Sequence, residues 1–337
     1  MHRLWDNFDV VTLIIECIAD QEPSEVEQTL AALARVCRGI SPVALDALWK
    51  RWTDFRRVDC LLQSIKAEGH DEVDEHARWD VYDQYAARVR TADLHDRPTK
   101  DVITAIKHRA PLFPFLKSLA WCFEPETASH LPALAAPTLS LVRIVADSGT
   151  EVIRLDPLLT NILATMNEKS RDLQELNMIL FPIESLSQTL SQRVFSLVTS
   201  FRALRKICID LPLIACPNMV EGLSALPHLE SLYFSEGRKD IPRVPFDYSV
   251  ARGGFDALKS LTIAVPNGNT EKILFALPRC PVTYARLPSG PHGCVHHLTR
   301  LFGPTLTELE LACDLSSAPL YAAASLLSSG IVAHLPL

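Results

Sequence analysis

From residue 89 onward, nine short segments of the form apolar-x-x-apolar-x-apolar recur along the chain. They are Val89-Ala92-Leu94, Leu116-Leu119-Trp121, Leu139-Val142-Ile144, Leu173-Leu176-Met178, Leu204-Ile207-Ile209, Leu229-Leu232-Phe234, Leu258-Leu261-Ile263, Val282-Ala285-Leu287 and Leu306-Leu309-Leu311. Counted from first residue to first residue, the steps are 27, 23, 34, 31, 25, 29, 24 and 24. Most fall in or near the period of roughly 20–29 residues at which strand-and-helix units stack. The two equal final steps place the weak unit at Val282 midway between two strong ones. The last four residues of each unit alternate in and out as a strand does. Intervening residues carry a helical spacing, as at Ile183, Leu186, Leu190, Val194, Leu197 and Val198. A lone unit cannot bury its apolar face, whereas stacked neighbours can. Leu131-Pro132, Leu226-Pro227 and Leu277-Pro278 precede strands, where proline ends a helix and sets the chain extended.

This spacing resembles that of leucine-rich repeats. The resemblance implies an α/β solenoid with parallel strands on the concave face and helices on the convex face. The family's asparagine or cysteine after the third apolar position is replaced by Glu124, Pro212, Gly237, Pro266 and Asp314. Irregular repeats without a ladder of asparagine bonds are therefore expected. Residues between the apolar strand positions would line the concave face: Lys117, Glu175, Asn177, Arg205, Glu230, Tyr233, Lys259, Tyr284, Arg286 and Glu308, with Arg90, Gln174, Lys206 and Glu310 beside them. Both charge signs and two tyrosines suit protein recognition better than a phosphate backbone, which demands a basic stripe.

Upstream, Leu30, Leu33, Ala34 and Cys37 recur at i, i+3, i+4 and i+7, and Leu45, Leu48, Trp49 and Trp52 repeat that helical spacing. Gly39 is expected to end the first helix in the left-handed region. Ser41 and Pro42 supply an N-cap and a first-turn proline for the second. Val10, Leu13, Ile14, Cys17 and Ile18 form an earlier helical stripe. Gln21 to Gln28 reads as an interhelical loop, with a capping box from Ser24 to Glu27. Val36-Cys37-Arg38, Ser41-Pro42 and Ala44-Leu45-Asp46-Ala47-Leu48-Trp49 resemble the second half of an F-box, in the form common in mushroom-forming fungi. The family opens with Leu-Pro and an acidic residue; here Asn7-Phe8-Asp9 keeps only the acid. Farther on, Trp79-Asp80 and Tyr85-Ala86-Ala87-Arg88-Val89-Arg90 resemble the segment that follows such F-boxes.

The expected organisation is an F-box helical domain at 1–65, a charged linker and connecting helix at 66–88, and the repeat domain at 89–337. Val58, Leu61, Leu62 and Ile65 extend the helical bundle, and Lys66 to Asp80 reads as a solvated loop. The ending His334-Leu335-Pro336-Leu337 echoes the Leu-Pro before strands, with no strand after it. It is either a cap or a product that stops where another unit begins.

The chain of 337 residues is 48% apolar, with 33 basic and 40 acidic residues giving a net charge of -7. That balance argues against a general nucleic-acid binder. Nine scattered cysteines form no Cys-x-x-Cys pair, as expected of reduced thiols in cytoplasm or nucleus. No signal-peptide profile opens the chain and no apolar stretch is long enough to span a bilayer. His292, Cys294, His296 and His297 form a metal-like cluster without a second pair at zinc-finger spacing, so no metal or cofactor is expected. Nucleophile and phosphate-loop motifs are absent; that the chain is a receptor and not an enzyme is what the F-box resemblance implies.

The F-box resemblance implies docking on a Skp-type adaptor and, through it, a cullin, with a protein substrate of unknown identity held by the repeats. Phe8, Val10, Ile14, Val36, Leu48 and Trp49 are the expected adaptor contacts. A repeat scaffold without a ligase role is the alternative, and a hydrolase hidden in the arc ranks last.

Overall fold

Strands recur where the spacing puts them. The computed structural model describes residues 7–19, 23–67, 75–94, 102–103, 105, 110–123, 130–146, 152–180, 188–210, 218–235, 251, 253–265, 267–288, 297–298, 300–312 and 332–334. The chain divides into two compact units, Met1–Trp121 with Ala133–Leu139, and Cys122–Pro132 with Ser140–Leu337.

The first unit opens with α1 (Phe8–Ala19), α2 (Pro23–Leu33) and α3 (Ser41–Lys50). Val11, Ile15, Val26, Leu30, Ile40 and Ala44 form their buried core. The inward face of α1 is thus Val11 and Ile15, not the expected Val10-Ile14 stripe. The helix is apolar on most of its circumference, and periodicity cannot choose a face there. The polar stretch from Gln21 is not a loop throughout, because α2 begins at Pro23, the first-turn position proline favours. Ser24 therefore lies inside the helix, not at its cap. Gly39 does not enter the left-handed region; among the described glycines Gly254 does, at φ 97°. Nor is Ser41 the N-cap of α3. That position is Ile40, without a side-chain cap, because the Ser41 N–H already donates to the Cys37 carbonyl at 3.0 Å.

Helix α3 stops at Lys50, where Arg51 turns extended, and Arg51–Trp52 form a short strand, β1. Trp52 is therefore a strand residue, fully buried, and not the last member of a helical stripe. After α4 (Arg56–Ala67) and α5 (Glu75–Ala86) come β2 (Thr91–Leu94) and β3 (Ser118–Phe123). Part of the expected solvated loop is thus helical. Strands β1, β2 and β3 pair in parallel, with Trp52 opposite Ala92 and Ala92 opposite Leu119. Behind them lies an aromatic core. Trp52 meets Phe113 edge-on at 4.8 Å and Trp49 at 5.6 Å; Trp49 packs on Tyr85 at 4.7 Å. The buried Tyr82 hydroxyl donates to the Leu112 carbonyl at 3.0 Å, and burial pushes its ionisation well above the ordinary tyrosine range.

Among its described residues the second unit carries eight parallel strands in sequence order: β4 (Leu141–Ala146), β5 (Glu175–Leu180), β6 (Lys206–Asp210), β7 (Ser231–Ser235), β8 (Ser260–Ala264), β9 (Tyr284–Pro288), β10 (Glu308–Ala312) and β11 (Val332–His334). Between them run α6 (Val152–Lys169), α7 (Gln188–Val198), α8 (Met219–Ser224) and α9 (Asn267–Ala276). Equivalent positions face one another without offset: Val142, Leu176, Ile207, Leu232, Leu261, Ala285 and Leu309 make one row. Every apolar position of the nine segments is buried. At about 1.5–3 kcal/mol per large side chain, this repeated burial is the main force holding the stack.

Backbone carbonyls tie successive strands together at their starts. The carbonyls of Ser140, Gln174, Arg205, Glu230, Lys259 and Thr283 each accept two N–H bonds from the start of the next strand, at 2.7–3.0 Å. Threonine hydroxyls add to this, Thr305 bonding the Val282 carbonyl at 2.9 Å and Thr307 that of Thr283 at 3.0 Å. Glu124, Pro212, Gly237, Pro266 and Asp314 lie outside the described residues. Close packing between units shows at Gly254, where a Cβ would lie 2.3 Å from the Ser224 carbonyl oxygen. Near the chain end a further strand forms where the spacing marked none: β11 lies before Leu335-Pro336, with Ala333 opposite Leu309, and residues 335–337 lie outside the described residues.

Candidate functional site

Two surfaces are set by these elements. The first is the outside of the three-helix bundle. Phe8 and Leu13 on α1 and Val36 after α2 are more than 60% exposed, large apolar side chains that their own core leaves uncovered. Val10 and Ile14 are half-buried. The other two expected adaptor contacts sit differently. Leu48 packs against the bundle core, and Trp49 joins the Trp52–Tyr85 aromatic stack. Leu13 shares the helical stripe of Val10 and Ile14 but is not among the expected contacts, although it is the more exposed.

The second surface is the sheet face turned away from the buried rows. In the second unit it has two rows. One runs Leu141, Glu175, Lys206, Ser231, Ser260, Tyr284, Glu308; the other runs Arg143, Asn177, Cys208, Tyr233, Thr262, Arg286, Glu310. Arg205, Glu230 and Lys259 precede their strands. The register therefore brings nine of the ten expected face residues together in this unit. Lys117, exposed, belongs to the first unit and is described apart from them.

Most charges on this face neutralise one another across strands. Arg205 reaches Glu230 at 3.0 Å, Lys259 the same carboxylate at 4.0 Å, and Lys206 meets Glu175 at 3.6 Å. Arg286 bonds Glu310 at 3.3 Å, and the Tyr284 hydroxyl donates to its other oxygen at 2.6 Å. Burial, and then that hydrogen bond to Glu310, raise the Tyr284 phenol to about 12. These pairs are solvent-exposed, so each contributes about 0–1 kcal/mol. Their effect is on the field: the face presents alternating signs and no basic stripe.

Leu141, Arg143, Val145 and Ile179 also face outward, and sequence reading passed over them although the same alternation marks them. The Asn177 Oδ1 is buried without a hydrogen-bond donor. Among the described residues no group of three or more His, Cys, Asp or Glu is placed to hold a metal. His292, Cys294 and His296 lie outside the described residues, and His297 stacks on Phe275 at 4.2 Å. Among the described residues no helix is long and apolar enough to cross a membrane.

No known protein-family profile matches the chain, and no curated protein matches it. Among solved structures it is similar to a protein from Bacteroides fragilis, at 14% identity and a TM-score of 0.36, over 70% of this chain and 69% of that one.

Proposed function

We propose that this chain is the substrate-recognition subunit of a cullin-based ubiquitin ligase. Its helical bundle is an F-box that docks on a Skp-type adaptor, and its strands and helices are leucine-rich repeats that hold a protein substrate. Catalysis belongs to the partners. Holding the substrate raises its effective concentration beside a ubiquitin-conjugating enzyme. The observation that carries this reading is the surplus apolar surface on the bundle. Phe8, Leu13 and Val36 stay in water although an adjoining core exists to take them. Desolvated apolar anchors are what a stable interface needs. The self-neutralised sheet face supports a protein partner over a phosphate backbone. Compartments where such ligases work, cytoplasm and nucleus, fit this role.

A second reading keeps the repeats as an interaction scaffold without ligase partners. It is favoured by Leu48 and Trp49, which the bundle and aromatic core occupy themselves. Binding of the purified chain to a recombinant Skp-type adaptor separates the two. Micromolar or tighter binding is expected, weakened about tenfold or more, a loss of about 1.4 kcal/mol, by Leu13→Asp. Because Leu13 is exposed, its melting temperature should hold. No binding by the wild-type chain would leave the scaffold reading.

A further inference from the structure

The outward face of β4 and β5 differs from the rest of the second unit's sheet. We propose that it is a docking site for an extended segment of a protein partner, one that carries an acidic side chain beside aliphatic ones. The proposal rests on the reading that this sheet recognises a protein, and it names which part does so and what chemistry it selects.

Charge comes first. Four of the five described cations on this face, Arg205, Lys206, Lys259 and Arg286, have a carboxylate within 4.0 Å. Arg143 is exposed and, among the described residues, has none. Its cross-strand neighbour is Asn177, and the nearby Glu175 is engaged by Lys206 instead. An arginine without a protein carboxylate, in a row where the others have one, complements an incoming carboxylate.

Its surroundings differ too. Leu141 and Val145 flank Arg143 along β4, and Ile179 is paired with Val145 on β5. All three are half-buried on the outward side. The equivalent positions on β7 are Ser231, Tyr233 and Ser235. A cation set among aliphatic side chains selects for a carboxylate with apolar neighbours, since the apolar flank excludes water from the ion pair.

The test uses the full-length protein and a displayed library of random peptides, selected in parallel on wild type and Arg143→Glu. Peptides enriched on wild type should share an Asp or Glu flanked by aliphatic residues. A synthetic copy of the consensus should bind Arg143→Glu about tenfold or more weakly, and Leu141→Ser more weakly than wild type. Its acid-to-amide version should lose affinity on wild type alone. Arg143→Gln, which adds no charge, serves if the reversal disturbs folding. Enrichment without an acidic residue, equal affinity for wild type and variant, or no enrichment at all would overturn the site. Adaptor binding measured on the same Arg143→Glu protein keeps the two proposals apart. Retained adaptor binding with failed peptide selection sinks only this site, and the reverse result sinks only the ligase reading.

Discussion

Trp52→Ala is expected to destabilise the first unit by about 3–5 kcal/mol, the range for truncating a buried tryptophan. The residue is fully buried in β1 and contacts both Phe113 and Trp49. Trp49 cannot follow the missing indole without leaving Tyr85, so a cavity persists. Trp52→Phe should cost far less, about 1 kcal/mol. It keeps most of the ring volume, and it removes an indole N–H that has no acceptor. Denaturant titration followed by tryptophan fluorescence measures both, because all five tryptophans fall within residues 1–121. Equal midpoints for Trp52→Ala and wild type would remove Trp52 from the core.

Leu232→Asp should be still more damaging to the second unit, costing at least about 4–5 kcal/mol. Leu232 lies on β7 between Ile207 and Leu261, in the row that every unit fills with an apolar side chain. Its strand partners Ile207 and Leu261 offer a carboxylate neither a cation nor a side-chain donor. Ser231→Asp, one residue away, points outward beside Lys206 and should change stability by no more than about 0.5 kcal/mol. Urea unfolding by circular dichroism reads both. The contrast between adjacent positions tests the alternation itself; similar losses for the two would contradict it.

Much of this fold is legible in the spacing because burial repeats. Three apolar positions per unit mark nine strands, and equal steps of 24 residues find the weak one at Val282. Two strands escaped for different physical reasons. At β1 a helical spacing runs from Leu45 through Trp52, yet the backbone leaves the helix at Arg51, and two residues are too few to show a period of two. At β11 the positions matching Leu306 and Leu309 are Gly330 and Ala333, too small to give an apolar signal. Another step of 24 from β10 still lands on the strand. On α1 the excess of apolar residues hid which side faces the core, and that excess is what leaves Phe8 and Leu13 exposed. The charged face residues were legible as a set. Their pairing was not, because whether Glu175 meets Lys206 or Arg143 depends on register and side-chain reach.

The proposed peptide site presupposes repeats stacked in register, and a directed disulfide tests that most directly. Ser231 and Ser260 are cross-strand partners on β7 and β8. Neighbouring strands lie about 4.8 Å apart, within the roughly 4.4–6.8 Å between Cα atoms that a disulfide spans. Under mild oxidation, Ser231→Cys with Ser260→Cys should yield a linked peptide by mass spectrometry. The offset pair, Ser235→Cys with Ser260→Cys, is separated by four residues of strand, about 13 Å, and should remain reduced. A bridge in the offset pair and none in the aligned pair would contradict the register on which the whole face is built.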